Sequence, residues 1–249
     1  MNLPDCEIDI GELAIRCPFF NDLKSNPDSI DNFLNEQISF KGTNINRPKK
    51  PQDIVLYGFG RIGRLMARML IQTTGPGNYY RLKAIVVRKT GTNDLVKRAS
   101  LLRRDSVHGR FDGTIRVDLE NELLVINGNP VKFIYSSSPN EINYSEFKIN
   151  SPIVIDNTGM SSSKEGLAKH LKNKEVKKVL FTAPVKKELK NIVYGVNHDD
   201  IEDEDAIIGA ASCTTNAIVP VLSAVDKEFG IDNGPVSYTH LTLPTSDLV

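Results

Sequence analysis

Cysteine is scarce in this 249-residue chain: Cys6, Cys17 and Cys213 are too few and too scattered for a disulfide framework or a zinc site. Net charge is absent, with 31 Lys+Arg against 31 Asp+Glu, and that balance excludes a dedicated nucleic-acid binder, whose composition would be basic. No apolar run approaches the ~20 residues that span a bilayer. No basic segment precedes an apolar stretch at the N-terminus, so MNLPDCEIDIGELAIRC does not read as a secretory signal. Internal repeats and low-complexity tracts are missing too. Hydrophobic residues still make up 40% of the chain and charged ones 25%, well above the range of disordered sequences. The expectation is a soluble, cytoplasmic protein with free thiols, no metal, and neither a nucleic-acid nor a membrane partner.

Residues 1–46 hold eight acidic and three basic residues. ELAIRCPFF and SIDNFLNEQISF space their apolar positions as two short helices would. Arg47-Pro48-Lys49-Lys50-Pro51 reads as a linker, which places a boundary near residue 51. Beyond it, short β-rich runs alternate with helical ones. IVLYGF, LKAIVVR, PIVIDNTG, KKVLFTAP, IVYGVN and AIIGAAS read as strands, and RIGRLMARMLIQ and KEGLAKHLKN as helices. LLVING and VKFIY read as a hairpin turning at Gly128-Asn129. Such alternation with apolar strands predicts an α/β fold with a mostly parallel, doubly wound sheet. Between 81 and 110, nine Lys/Arg face only Asp94 and Asp105, as a phosphate-facing patch or as a solvated basic face.

Gly58-Phe59-Gly60-Arg61-Ile62-Gly63 fits G-x-G-x-x-G between a strand and a helix. Gly58 makes the tight turn, Gly60 admits a pyrophosphate, and Gly63 lets the helix pack on the strand. The helix start adds free N–H groups and a partial positive charge. A dinucleotide site is the sharper reading and a structural glycine turn the plainer one. An acid about 20 residues on would bind a ribose 2′-OH. That strand ends instead in Val86-Val87-Arg88-Lys89, so either the cations welcome a 2′-phosphate or they point to solvent.

Ala211-Ser212-Cys213-Thr214-Thr215-Asn216 precedes a run with Ile218, Val221, Leu222, Val225 and Phe229 at helical spacing, and Gly230 fits its stop. Cys213 is then placed at a helix N-terminus, where the dipole favours the nucleophilic thiolate. Small polar neighbours leave it accessible and supply donors for an oxyanion. Pro220 fits such a helix best in its first turn.

Together these motifs resemble those of glyceraldehyde-3-phosphate dehydrogenases. YGFGRIGR (57–64) is similar to that family's N-terminal turn and ASCTTNAIVPVL (211–222) to its cysteine signature, with RDSVHGRFDGT, LLVINGNPVKF, DNTGMSSS, LFTAP and YGVNH between them in the family's order. The resemblance covers about residues 52–234. It implies an extension over 1–50, a Rossmann-type NAD(P)-binding domain over 51–212, and over 213–249 only the start of an α+β catalytic domain. It implies an oxidoreductase of glycolysis or gluconeogenesis, homotetrameric at full length, that takes a phosphorylated aldehyde and inorganic phosphate with NAD or NADP. Cys213 would be the nucleophile, with Ser212 and Thr214 lining the substrate and phosphate site. Arg61 and Ile62 would offer backbone N–H groups to the pyrophosphate, and Thr158, Gly159 and Thr182 would flank the cofactor.

Three departures from the family pattern stand out. Arg88 replaces the usual acid at the second strand's end, and Ser136-Ser137-Ser138-Pro139 lacks the family's Arg-Asp-Pro near the adenine. PVSYTHLTLPTSDLV (235–249) lacks the family's pattern and reads as a truncated or non-native end. His240 lies 27 residues past Cys213, the spacing of the family's general base, in a poorly matching context. The alternatives are a nucleotide-binding module without turnover and a related enzyme acting on erythrose 4-phosphate.

Overall fold

Ile54, Val55 and Leu56 are consecutive apolar residues, so the strand that carries them needs cover on both faces. The computed structural model of the protein supplies it; it describes residues 51–74 and 79–234 together with Asn32 and Phe33. Asn32 and Phe33 are helical. The remainder of the two N-terminal helices read from the sequence, the linker up to Lys50, Cys6, Cys17, His240 and residues 235–249 lie outside the described residues.

The chain runs β1 (Gln52–Tyr57), α1 (Arg61–Thr74), β2 (Tyr80–Val87), α2 (Asp94–Arg103), β3 (Arg104–Asp105), β4 (Gly109–Arg110), β5 (Ile115–Asp118), β6 (Leu123–Ile126), β7 (Asn129–Tyr135), β8 (Ile153–Asp156), α3 (Lys164–Leu171), β9 (Lys178–Phe181), β10 (Lys190–Asn191), β11 (Ile207–Gly209) and α4 (Cys213–Phe229). A nine-stranded sheet has the order β10-β11-β9-β8-β1-β2-β7-β6-β5. From β10 to β7 all neighbours are parallel, and β7, β6 and β5 are antiparallel. This is the Rossmann-type α/β architecture that the strand–helix alternation predicts.

The two faces share each strand by alternation. Ile54 and Leu56 of β1 join Ala67 and Ile71 of α1 and Leu95, Ala99 and Leu102 of α2 on one side. Val55 joins Tyr144, Ile149 and Leu167 on the other. In β2 the alternation is broken on purpose. Leu82 belongs to the first face and Ala84 to the second, although residues two apart ordinarily share a face. The pairing of β1 with β2 skips Lys83, since Ile54 faces Leu82 and Val55 faces Ala84. One extra residue thus resets the register, and Ile85 and Val87 return to the α1–α2 side.

Four readings need correction. The β6–β7 hairpin turns at Asn127-Gly128, one residue before the expected pair, because those two residues supply the positive φ values, 47° and 82°, that a two-residue turn needs. IVYGVN is not a strand: β10 stops at Asn191, and Val196 and Asn197 both donate backbone N–H groups to the Val193 carbonyl. Asn197 accepts from Val193 N–H and donates to the Asn191 carbonyl, which takes up the backbone groups that a ladder would use. Between Arg88 and Glu122 the sequence reading has no element, yet α2, β3, β4 and β5 form there. Finally, α4 continues through Pro220, well past its first turn.

The glycine turn shows how tightly α1 joins β1. A Cβ on Gly63 would lie 2.4 Å from the Gly58 carbonyl oxygen, whereas one on Gly60 would meet nothing within 4 Å. Gly63→Ala is therefore expected to cost about 1–3 kcal/mol through forced overpacking. Gly60→Ala should cost less than about 1 kcal/mol, as at an ordinary helix start. Urea unfolding midpoints of the two variants against wild type check the contrast.

Candidate functional site

In an open parallel sheet, ligands bind beyond the carboxyl ends of the strands, at the point where strand order reverses. Here the chain leaves β1 towards β2 and β7, then returns to the opposite side of β1 with β8. The crevice lies between the β1 and β8 ends, where Tyr57 and Asp156 stand in register. The Gly58–Gly63 turn forms one wall and Asn157 to Met160 the other.

Each wall is fixed by the backbone. Gly58 has φ 95°, and its N–H donates to the Val86 carbonyl at 2.9 Å. Phe59 is buried against Phe133, ring edge to face at 5.4 Å, so its side chain serves the core. Ile62 is exposed. Opposite, Thr158 donates its N–H (2.8 Å) and its hydroxyl (2.7 Å) to Asp156 Oδ1, and Gly159 has φ 65°. Thr158 stands so close to the turn that a Cβ on Gly58 would meet its Cγ2 at 2.9 Å. Thr182 donates its N–H and hydroxyl to the Asp156 carbonyl, at 3.0 and 3.2 Å. Thus Gly58, Thr158, Gly159 and Thr182 converge on one crevice.

The Arg61 side chain does not reach into that crevice. Its guanidinium donates to Ser106 Oγ at 3.0 Å and lies 3.6 Å from Asp105 Oδ2, which Arg64 also approaches at 3.9 Å. Asp105 is buried, and the backbone N–H groups of His108 and Val107, the His108 ring and the Arg61 charge hold its carboxyl well below the usual carboxylate range. What α1 presents to the crevice is therefore its N-terminal amides, with empty space over Gly60. A phosphate fits that arrangement.

Arg88 lies exposed at the end of β2 and reaches across to the same wall, its Nη2 3.4 Å from Met160 Sδ. Lys89 sits over the Tyr135 ring at 5.1 Å. Arg81 pairs with Asp53 at 3.0 Å at the far end of β2, Arg98 pairs with Asp94 at 2.6 Å and donates to the Arg88 carbonyl, and Arg103 donates to the Ile115 carbonyl. These three cations are thus engaged by the protein itself.

Ser212, Cys213 and Thr214 are on the same sheet edge but apart from the turn. Their helix follows β11, three places from β1 in the sheet, roughly 14 Å away at the ~4.8 Å strand spacing. Ser212 Oγ caps α4 by accepting from Thr215 N–H at 2.9 Å, and Asn216 Nδ2 donates to the carbonyls of Ala210 and Ser212. Ala211 takes φ 56°, which turns the chain sharply into α4. Cys213 is the first residue of the helix and is exposed. None of the residues of α4 is buried: Val221 is 62% and Phe229 86% exposed, so its apolar face has no cover among the described residues.

Sequence reasoning missed Asp156, whose two carboxylate oxygens and carbonyl organise the second wall. The Asx turn in DNTG was its available signal. It also missed His170, whose ring lies 3.1 Å from Asp156 and which nothing in the sequence connects to the site. Among the described residues no cluster of three or more His, Cys, Asp and Glu could hold a metal, and no helix is long and apolar enough to cross a membrane.

Comparison with known proteins agrees with this geometry. Residues 52–164 match the family model described as glyceraldehyde 3-phosphate dehydrogenase, NAD binding domain. Over 241 residues the chain is 50% identical to a glyceraldehyde-3-phosphate dehydrogenase-like protein of Pseudomonas aeruginosa (strain UCBPP-PA14), covering 96% of this chain and 51% of that protein. It is 34% identical over 195 residues to the glyceraldehyde-3-phosphate dehydrogenase of Bacteroides fragilis (strain YCH46), covering 77% of this chain and 54% of that one. It is 36% identical over 186 residues to that of Streptococcus pyogenes serotype M3 (strain ATCC BAA-595 / MGAS315), covering 74% and 51%. The chain spans about half the length of these relatives. At 96% of the chain, the Pseudomonas match also takes in most of the first fifty residues.

The Ser212 cap has a measurable consequence. Because α4 buries no side chain, Ser212→Ala should leave global unfolding unchanged. It should fray the first turn, raising hydrogen exchange at the Thr215 amide about fivefold, the equivalent of ~1 kcal/mol for a lost N-cap. Amide exchange followed by NMR on both proteins measures this.

Proposed function

We propose that this chain, whose residues 52–164 match the NAD binding domain of the glyceraldehyde 3-phosphate dehydrogenase family, belongs to a phosphorylating aldehyde dehydrogenase using NAD or NADP. The observation that carries this reading is the glycine turn at the switch point, with α1 amides and open space over Gly60 facing Thr158 and Gly159. Gly58 to Gly63 would hold the pyrophosphate, the N–H groups of Arg61 and Ile62 donating to it. Thr158, Gly159 and Thr182 would flank the rest of the nucleotide. Bound there, the nucleotide supplies the hydride acceptor.

In this reading Cys213 Sγ attacks the aldehyde carbon of a phosphorylated substrate and forms a thiohemiacetal. Loss of hydride leaves a thioester on Cys213. Inorganic phosphate then attacks the acyl carbon, the C–S bond breaks, and an acyl phosphate leaves as the thiolate returns. Ser212 and Thr214 line the substrate and phosphate positions, and His240 serves as the base. Residues 51–212 act as the nucleotide-binding unit, and 213–249 begin the catalytic domain. The whole protein would be a cytoplasmic homotetramer. A second reading, a nucleotide-binding module without turnover, is favoured for the 249-residue chain by one observation: α4 buries none of its residues among those described.

Two outcomes test the reading. Calorimetric titration should detect both NAD and NADP at millimolar cofactor or below, and Arg88→Asp should weaken NADP at least tenfold more than NAD, since a guanidinium at this strand end can pair with a 2′-phosphate. Wild-type preference for NAD by a hundredfold would refute that role for Arg88. Iodoacetamide labelling with peptide mapping should find Cys213 alkylated before Cys6 and Cys17. Aldehyde oxidation by this chain should be at least a hundredfold below that of the longer relatives, because alkylation needs only a nucleophilic thiol whereas turnover needs orientation and a base.

A further inference from the structure

Asp156 and His170 lie beneath the nucleotide crevice without facing it, 5% and 2% exposed. His170 is in the last turn of α3, a helix whose start is capped by Ser163 Oγ accepting from Gly166 N–H. Its Nε2 stands 3.1 Å from Asp156 Oδ2. A carboxylate only accepts, so the Nε2–H donates to it. The other ring nitrogen, Nδ1, is buried with no hydrogen-bond partner among the described residues. The imidazole is thus satisfied on one side only, the side that serves Asp156. Tyr57 fixes the ring plane by an edge-to-face contact at 4.7 Å and 86°.

The other carboxylate oxygen holds the crevice wall. Asp156 Oδ1 takes the N–H and hydroxyl of Thr158, and Thr158 Oγ1 in turn accepts from Met160 N–H at 3.2 Å. Thr158 abuts Gly58 of the phosphate turn. Rotation of the carboxylate about its Cβ–Cγ bond would release both Thr158 bonds together, and among the described residues only the bond to His170 restrains it from the opposite side. We infer that Asp156 and His170 form a buried positioning pair. His170 locks the Asp156 carboxylate, and the carboxylate holds Thr158 to Met160 against the glycine turn at the separation a dinucleotide needs. This rests on the nucleotide site proposed above. His170 is a positioning residue, because it acts on the ligand only through Asp156 and Thr158.

The test uses the 249-residue chain and NAD as the probe. His170→Phe keeps a ring and loses the donor; His170→Gln keeps a donor near the Nε2 position. The expected result is a Kd for NAD raised about tenfold in His170→Phe and restored to within threefold of wild type in His170→Gln, with faster exchange of the Thr158 amide in the former alone. Should His170→Phe fail to fold, His170→Met, flexible and of similar volume, takes its place with the same expected loss. Equal NAD affinity in wild type and the donor-less variants would overturn the pair while leaving the nucleotide site standing. So would a fall in urea midpoint for both Phe and Gln variants with no change in Kd, the signature of a merely structural histidine. No binding by the wild type at all would overturn the site and the pair together.

Discussion

The missing side chain at Gly63 sets the geometry on which everything else at this sheet edge depends. The first turn of α1 rests on the Gly58 carbonyl so closely that any Cβ there would overlap it. That contact fixes the angle at which the helix leaves the sheet, and with it the direction of the free amides at its start. It also brings Ala67 and Ile71 down onto Ile54 and Leu56. Packing of the core and aiming of the anion site are therefore one constraint met twice. Glycine at this position is a steric requirement of the fold, whereas glycine at position 60 leaves space that only a ligand would use.

Charge around the turn is arranged to leave that space free. Arg61 and Arg64, which flank Gly63, are drawn aside to Asp105. Asp105 is in turn held by two backbone N–H groups in the β3–β4 hairpin. Burial draws Arg64 below its ordinary value, an effect that Asp105 opposes. The two guanidiniums contribute positive potential near the helix start without occupying it, which adds to the helix dipole. On the other wall the carboxylate of Asp156 is turned inward, spent on Thr158 and His170, and does not present negative charge to an anionic ligand.

What was legible in the sequence follows from the range of each interaction. The glycine turn, the parallel strands and the capped helix of Cys213 depend on local demands and could be read from consecutive residues. The bulge at Lys83 could not, because a continuously apolar strand carries no alternation to reveal a shift of register. Helix α2 was hidden because Lys97, Arg98 and Arg103 crowd its buried apolar positions, Leu95, Ala99 and Leu102, into a segment that reads as a charge run. IVYGVN has the composition of a strand, and Asn197, by taking up its backbone groups, overrules that composition. The link between Asp156 and His170 spans fourteen residues through tertiary packing and has no local signature.

The two halves of the proposed chemistry are unequally complete among the described residues. The nucleotide crevice closes on itself: its walls are tied to β2 and β1 by the Gly58 and Asn157 backbone N–H groups, and its supporting side chains are buried on both faces of the sheet. The helix of Cys213 is joined to the end of β11 by Asn216, which donates to the Ala210 carbonyl, and it presents Val221, Leu222, Val225 and Phe229 to solvent. A contiguous apolar face of this kind marks a surface that other polypeptide covers, and the relatives extend to about twice this length. Position at a helix start is a local property, and in the proposed reading it is what Cys213 contributes. Holding an aldehyde at a fixed distance from both that sulfur and the nucleotide is a property of several elements at once. In the proposed reading, binding and nucleophilicity are therefore separable from turnover in this chain: turnover needs several elements at once, whereas α4 leaves its apolar side chains uncovered among the described residues.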